Sequence, residues 1–265
     1  MKTNVFLWIA CLCLIPAFLQ ANNTIKGNGK VITKEISISD YEEISMAGSV
    51  EFEYVQSGSS PSLTVTVDEN IFPYLDIKTK GKKLEIGTKN DGWKSVNLRP
   101  TVYKIRSNSK DLKKLNAAGS GKFYVNGTFN TSRTEFNLAG SGNIYLKGQV
   151  QSEEIKFNVA GSGKAMADNL NVKKFSGSVA GSGRLEAAGK AQEGNFSVAG
   201  SGNVKAFDCK TGKVNASVSG SGKVEVSVGN HLDAHVSGSG KITYKGDGIS
   251  TNISKYGSGS ISKVD

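Results

Sequence analysis

The trio Gly-Ser-Gly occurs eight times, beginning at Gly119, Gly140, Gly161, Gly181, Gly200, Gly220, Gly238 and Gly257. The steps between copies are 21, 21, 20, 19, 20, 18 and 19 residues. So constant a spacing restricts the chain to architectures that stack one supersecondary unit on itself. The neighbours of each trio keep phase with it. Around the fourth copy, one parity holds Phe175, Gly177, Val179, Gly181, Gly183, Leu185 and Ala187, and the other holds Ser176, Ser178, Ala180, Ser182, Arg184 and Glu186. Phe136, Leu138, Ile144 and Leu146 repeat the pattern around Gly140, as do Val214, Ala216, Val218, Val224 and Val226 around Gly220. A period of two is the mark of a strand with one buried face. A flexible Gly-Ser linker has no reason to hold its neighbours in phase. Neither the period nor the glycine content suits a helix.

A unit of about 20 residues fits one coil of a solenoid, stacked on the next at ~4.8 Å with strands in parallel register. The reading is an all-β chain: a right-handed parallel β-helix (β-solenoid) with an irregular β-rich N-terminal part, right-handed winding being the rule for parallel connections. A propeller or sandwich is the runner-up, but it calls for hairpins and a repeat of about 40 residues or none. Each trio then marks a corner. The pairs Gly119 and Gly121, Gly140 and Gly142, Gly161 and Gly163, Gly181 and Gly183, Gly200 and Gly202, Gly220 and Gly222, and Gly238 and Gly240 are the structural turns. By parity both glycines face inward and the serine outward.

The series extends weakly upstream. Gly27-Asn28-Gly29-Lys30 resembles a trio, as does Ala47-Gly48-Ser49-Val50, 21 residues later. The 71 steps from Gly48 to Gly119 hold none, enough for degenerate repeats or an inserted β excursion. Val31-Ile32, Ile36, Ile38, Leu63 to Val67 and Leu84 to Ile86 read as strands, with turns at Gly81 and at Asp91-Gly92. Three prolines, Pro61, Pro73 and Pro100, interrupt the alternation. At the far end Lys255 falls on the inward parity, as suits a solvent-facing last coil. The expected division is 1–21 signal peptide, 22–115 irregular β region and 116–265 regular solenoid.

The signal assignment rests on Lys2 followed by the apolar run Val5 to Leu19, too short for a comfortable span, with Ala21 at a plausible cleavage position. Cys11 and Cys13 lie inside that run, and Trp8-Ile9-Ala10 is a poor approach to a lipidated cysteine, so plain secretion is favoured over lipidation. Cleavage leaves Cys209 alone, which excludes an intramolecular disulfide. No other stretch reaches spanning length, so the expected location is extracytoplasmic: periplasm, outer-membrane surface or medium. The formal charge of +10 loses only Lys2 with the signal.

The serial Ala-Gly-Ser-Gly units, most followed by Lys or Asn and often then Ile or Val, resemble the auto-transporter adhesin, head GIN domain family of Bacteroidetes-type bacteria. The stretch from Ile36 to Thr88, with Asp68-Glu69-Asn70 and Gly81-Lys82-Lys83-Leu84-Glu85-Ile86, resembles it too, as does Leu112 to Val125. The resemblance covers roughly residues 30–260. It implies an extracytoplasmic β-helical protein with an adhesive role, and it assigns no catalytic residues.

On a regular solenoid, function resides in the outward columns. Two residues past each serine stand Lys122, Asn143, Lys164, Arg184, Asn203, Lys223 and Lys241. Stacked at strand spacing they make a basic stripe, a site for acidic glycans or other envelope polyanions or else a charged edge that resists aggregation. Two residues before the serines stand Ala118, Ala139, Ala160, Ala180, Ala199, Ser219 and Ser237, a flat face for a tightly turned strand or a second copy of the chain. Two further back, Asn116, Asn137, Asn158, Ser178, Ser197, Ser217 and His235 form a hydrogen-bonding ladder. His231 and His235 lack a third clustered ligand, so no metal or other cofactor is expected. Glu186 and Glu225, with Lys205 between, could serve a β-helix lyase or glycosidase, although an ion-pair column explains them better. Nucleic acid is not an expected partner, because the charge is not interleaved with aromatic platforms. The reading is a secreted or surface binding protein without catalysis, an adhesin or cell-envelope interaction protein. The alternatives are a polysaccharide-active enzyme and a structural envelope subunit.

Overall fold

The computed structural model describes residues 23–89 and 96–264. The expected signal peptide and the Asp91-Gly92 turn lie outside the described residues. The chain forms a parallel β-solenoid. Each coil is a strand ending at the first glycine of a trio, a corner, a strand starting two residues after the serine, and a second corner. Phe129–Gly140 and Asn143–Leu146 make one such coil. From Lys164 onward the second corner is itself in extended conformation, giving Lys164–Gly181, Arg184–Gly200, Asn203–Gly220 and Lys223–Gly238. Gly119, Gly140, Gly161, Gly181, Gly200, Gly220 and Gly238 lie over one another in strict parallel register. Differences in coil length are absorbed at the second corner, where the register shifts between Ala167 and Leu170 and between Glu186 and Gly189.

The two glycines of a trio do different work. The first has φ between +105° and +114° in all eight copies. It is not inward, as parity predicts, but lies on the outside of the corner, where a Cβ would meet the carbonyl oxygen of the glycine one coil earlier at 2.6–2.8 Å. Such a φ reverses the chain without the alternation of a strand, which explains the failure of the parity rule at this one position. The second glycine is buried, and alternation resumes in phase with it. Between them, the serine N–H donates to the first-glycine carbonyl of the coil before, as in Ser141 to Gly119 at 3.0 Å and Ser201 to Gly181 at 2.9 Å. The corner is thus a hydrogen-bonded rung, with no backbone donor of the serine wasted.

The 71-step interval is an inserted excursion that changes the order of the stack. Glu43–Gly48 pairs directly with Lys114–Gly119, and Glu51–Gln56 with Lys122–Asn126. On the other side of this coil lie Lys83–Thr88 and Tyr103–Ser109, also parallel. Leu75–Lys80, Leu63–Asp68 and Val31–Glu35 then add antiparallel strands that close the end. Gly81 turns the tight hairpin between Lys80 and Lys83 at φ +56°. Gly27-Asn28-Gly29 does not join the glycine column. Gly27 N–H donates to the Arg99 carbonyl, and Gly29 N–H to the buried Asp68 carboxylate. At the opposite end Ser250–Tyr256 is exposed throughout, and Lys255 stands opposite Val236 where the core would continue.

The interior is narrow and filled by stacked side chains. Phe136 and Phe157 stack at 4.9 Å, Phe157 meets Phe175 edge-on at 6.2 Å, and Phe175 meets Phe196 edge-on at 5.3 Å. Phe157 and Phe196 share one inward column, but Gly177 occupies that column between them, and Phe175 fills the volume from two residues back. The space over Gly177 is taken by Leu185, whose Cδ2 lies 2.2 Å from where a Cβ would stand. Nearer the N-terminal end, buried Tyr54 pairs its hydroxyl with Ser109, and burial pushes its pKa up to about 12.

Candidate binding surface

Strand pairing places Lys122, Asn143, Lys164, Arg184, Asn203, Lys223 and Lys241 in one unbroken column, each opposite the next. At ~4.8 Å per strand it runs for about 29 Å along the sheet that follows the trio corner. The neighbouring outward column holds Glu186, Lys205 and Glu225, also in register. Those carboxylates engage the basic column. Lys164 lies 2.9 Å and Arg184 3.6 Å from Glu186, and Lys223 lies 2.6 Å from Glu225. Among the described residues Lys122, Lys241 and Lys205 make no such pair, so the surface keeps a net positive character. All three pairs involve partly exposed side chains, and such pairs contribute about 0–1 kcal/mol each, little enough for an incoming anion to exchange with them.

Asp168, Glu186, Lys205 and Asp208 line a shallow depression of 310 Å³ on this sheet. It brings carboxylates beside an amine, the arrangement a glycan-cleaving reading requires. Glu186, however, is committed to Lys164 and Arg184. Cys209 lies buried nearby in sequence, and burial raises its thiol pKa, the opposite of what a nucleophile needs.

The sheet that precedes the corner carries the small-residue columns. Ala118, Ala139, Ala160, Ala180, Ala199, Ser219 and Ser237 are aligned and exposed. The amide ladder is a chain of hydrogen bonds: Asn137 Nδ2 donates to Asn116 Oδ1 at 3.1 Å, and Asn158 Nδ2 to Asn137 Oδ1 at 2.7 Å. His231 and His235 bond to Ser250 and Ser254, both at 2.6 Å, and so fasten the last coil. Among the described residues no cluster of His, Cys, Asp or Glu is arranged to hold a metal ion.

Sequence reasoning missed a groove of 590 Å³ on this sheet. Its floor is Ser176 and Ser178, Asn195 and Ser197, Asn215 and Ser217, on three successive coils. Lys156 and Asn158 bound one end, Asp233 and His235 the other. The signal was present as a change in side-chain length along two columns, but it becomes a concavity only when coils are laid side by side.

The model of the family described as "Putative auto-transporter adhesin, head GIN domain" matches residues 40–163 and again 134–248. The chain belongs to this family. The first match takes in the inserted excursion, and the second lies in the regular coils. A crystal structure from Parabacteroides distasonis, described as a "putative lipid binding protein", is 46% identical with a TM-score of 0.88, covering 92% of this chain and 100% of its own. One from Parabacteroides merdae, described as a "putative adhesin", is 31% identical with a TM-score of 0.86 over the same shares. A second from Parabacteroides distasonis, also a "putative adhesin", is 31% identical with a TM-score of 0.85, covering 91% and 100%. No curated protein matches. In this head GIN domain no helix among the described residues is long and apolar enough to cross a membrane.

Proposed function

We propose that this head GIN domain is a non-catalytic recognition module, secreted or displayed at the cell surface, that binds acidic glycans or other envelope polyanions through the column from Lys122 to Lys241. The observation that carries the reading is the unbroken register of that column. It holds five cations and two asparagines at the spacing of strands. A linear polyanion lying along the solenoid meets a cation or an amide at every coil, and the asparagines relieve repulsion between the cations. The family and the apolar segment Val5 to Leu19 behind Lys2 support an extracytoplasmic setting.

The test is a binding screen against sulfated and uronate oligosaccharides and phosphorylated envelope lipids at two salt concentrations. Binding that weakens with salt, and is lost in the K164A/R184A/K223A variant, is the expected result. Binding that persists unchanged in the folded triple variant refutes the reading.

A further inference from the structure

The groove on the opposite sheet is built for a different chemistry. From Lys156 to Asp233 it spans four strand steps, about 19 Å, with Ser176, Asn195 and Asn215 as the intermediate rungs. Every strand beneath it is paired on both sides. A peptide therefore has no free backbone edge here on which to add as a strand, and recognition falls to side chains.

Those side chains sort by direction. The residues at the two ends bond away from the groove. Asn158 donates to Asn137 and Glu135, and Lys156 sits 3.7 Å from Glu135. At the other end, Asp233 accepts from Asn252, and His235 bonds to Ser254. The floor is uncharged. Ser178 bonds to Ser197 at 2.9 Å and Asn215 to Asn195 at 2.9 Å, while among the described residues no side-chain hydrogen bond engages the hydroxyls of Ser176 and Ser217. Amides and hydroxyls so placed both donate and accept, which matches a ligand that does both. An exposed aromatic stands just beyond the rim: Tyr256, 68% exposed and opposite Ser237 on the next coil, packs on the His235 ring at 5.6 Å. It offers an apolar ring face with a polar tip beside the end of a polar trough.

We propose that this groove binds a neutral oligosaccharide lying along the solenoid axis, its hydroxyls on the Ser/Asn floor and one sugar ring against Tyr256. A polyanion is disfavoured, since the only charges at the rim are opposite in sign and already engaged. Phe157, Gly177, Phe196 and Ala216 also line the groove, so its floor sets apolar surface among the hydroxyls and amides, as the CH faces and hydroxyls of a sugar chain require. The site lies on a different sheet from the basic column and stands on separate observations.

The test uses the whole domain and two sets of probes at one salt concentration: neutral gluco-, manno- and galacto-oligosaccharides, and sulfated or uronate ones. Neutral oligosaccharides are expected to bind with little dependence on salt. The S178Q/S197Q variant fills the floor without adding charge and should weaken them about tenfold or more, and Y256A should weaken them as well. K164A/R184A/K223A should leave them unchanged. Should the filled variant fail to fold, Y256A decides, because Tyr256 is a surface residue. The proposal is overturned if no neutral oligosaccharide binds the wild type, or if the folded variants bind it as tightly as wild type does. A wild type that binds only the acidic probes, with that binding lost in the triple lysine and arginine variant, would leave the column standing and this groove refuted.

Discussion

Gly48 lies directly beneath Gly119, although 71 steps of chain separate them: the two are register partners, and a Cβ on Gly119 would stand 2.6 Å from the Gly48 carbonyl oxygen. The same contact recurs between successive trios up to Gly257. The corner therefore tolerates no side chain at the first glycine, for two independent reasons, the positive φ and the close carbonyl.

Replacing such a glycine should be costly wherever it is tried. Gly181→Ala, at φ +106° and 2.8 Å from the Gly161 carbonyl oxygen, is expected to lose about 1–3 kcal/mol of stability. Gly58→Ala, with open space around the new methyl, should change stability by less than about 0.5 kcal/mol. Urea unfolding of the two variants side by side checks the difference.

The interior predicts a coupled pair. Gly177→Ala drives a methyl into Leu185 Cδ2 and should destabilise by about 1–3 kcal/mol. Leu185→Ala alone removes buried volume and should cost about 2–5 kcal/mol. The double variant should lose less than the two single losses together, by about 1 kcal/mol or more, since each change makes room for the other. Strict additivity in a thermodynamic cycle would contradict this packing.

Asp68 ties the N-terminal end together. Its buried carboxylate accepts from the Thr101 hydroxyl, from Thr101 N–H and from Gly29 N–H, and these bonds, led by the Thr101 side chain, hold its pKa below the ordinary carboxylate range. A depressed native pKa gives stability that is complete above the unfolded value of about 4 and is lost as pH falls through the native value. Asp68→Asn should lower stability at neutral pH and flatten the acid limb of the stability curve. Hydrogen exchange at Gly29 and Thr101 should quicken in that variant, and an unchanged acid limb would rule out the assignment.

Glu186 holds two cations of the basic column, so its removal should release them. Glu186→Gln is expected to tighten binding of an acidic oligosaccharide about two- to fivefold and to steepen its salt dependence, with less than about 1 kcal/mol change in stability. Isothermal titration at two salt concentrations reads both effects.

Lys255 keeps the last coil wet. It stands opposite Val236 on the open parallel edge, beside Ile253, which is 45% exposed. Lys255→Val would extend the apolar interior to a surface with unpaired backbone groups, and should promote end-to-end association. Light scattering over a concentration series would show it, and a monodisperse monomer would not fit the prediction.

Much of this fold was legible because its determinants are local and repeated. The parity of Val179, Gly183 and Leu185 names the buried face, and the steps of 18 to 21 name the coil. What parity could not show is the outside position of Gly181, since alternation assumes extended backbone and φ +106° is not extended. The place of Lys83–Thr88 beneath Glu43–Gly48 was equally hidden, because the order of stacking is decided by which apolar surfaces match, not by any periodicity in the chain. The basic column could be written down from spacing alone. Its engagement by Glu186 and Glu225 required knowing how side chains bend, along one strand for Arg184 and Lys223 and across coils for Lys164. The groove was the least visible, for it depends on Ser178, Ser197 and Ser217 being short together, and each of them alone is an unremarkable strand residue.

The order of coils in space has a consequence for how the chain is made. A ribosome delivers Glu43–Gly48 and Glu51–Gln56 first, yet the strands on one side of that coil, Lys83–Thr88 and Tyr103–Ser109, and those on the other, Lys114–Gly119 and Lys122–Asn126, all emerge later. The earliest coil must wait, with both of its edges unsatisfied, until more than twice its own length of chain has followed. Zippering along the nascent chain can begin only after residue 126, so the repeats that look most independent are downstream of a knot of long-range contacts that has to close before them or separately from them. Synthesis and stacking run in the same direction for most of this molecule, and at its beginning they do not.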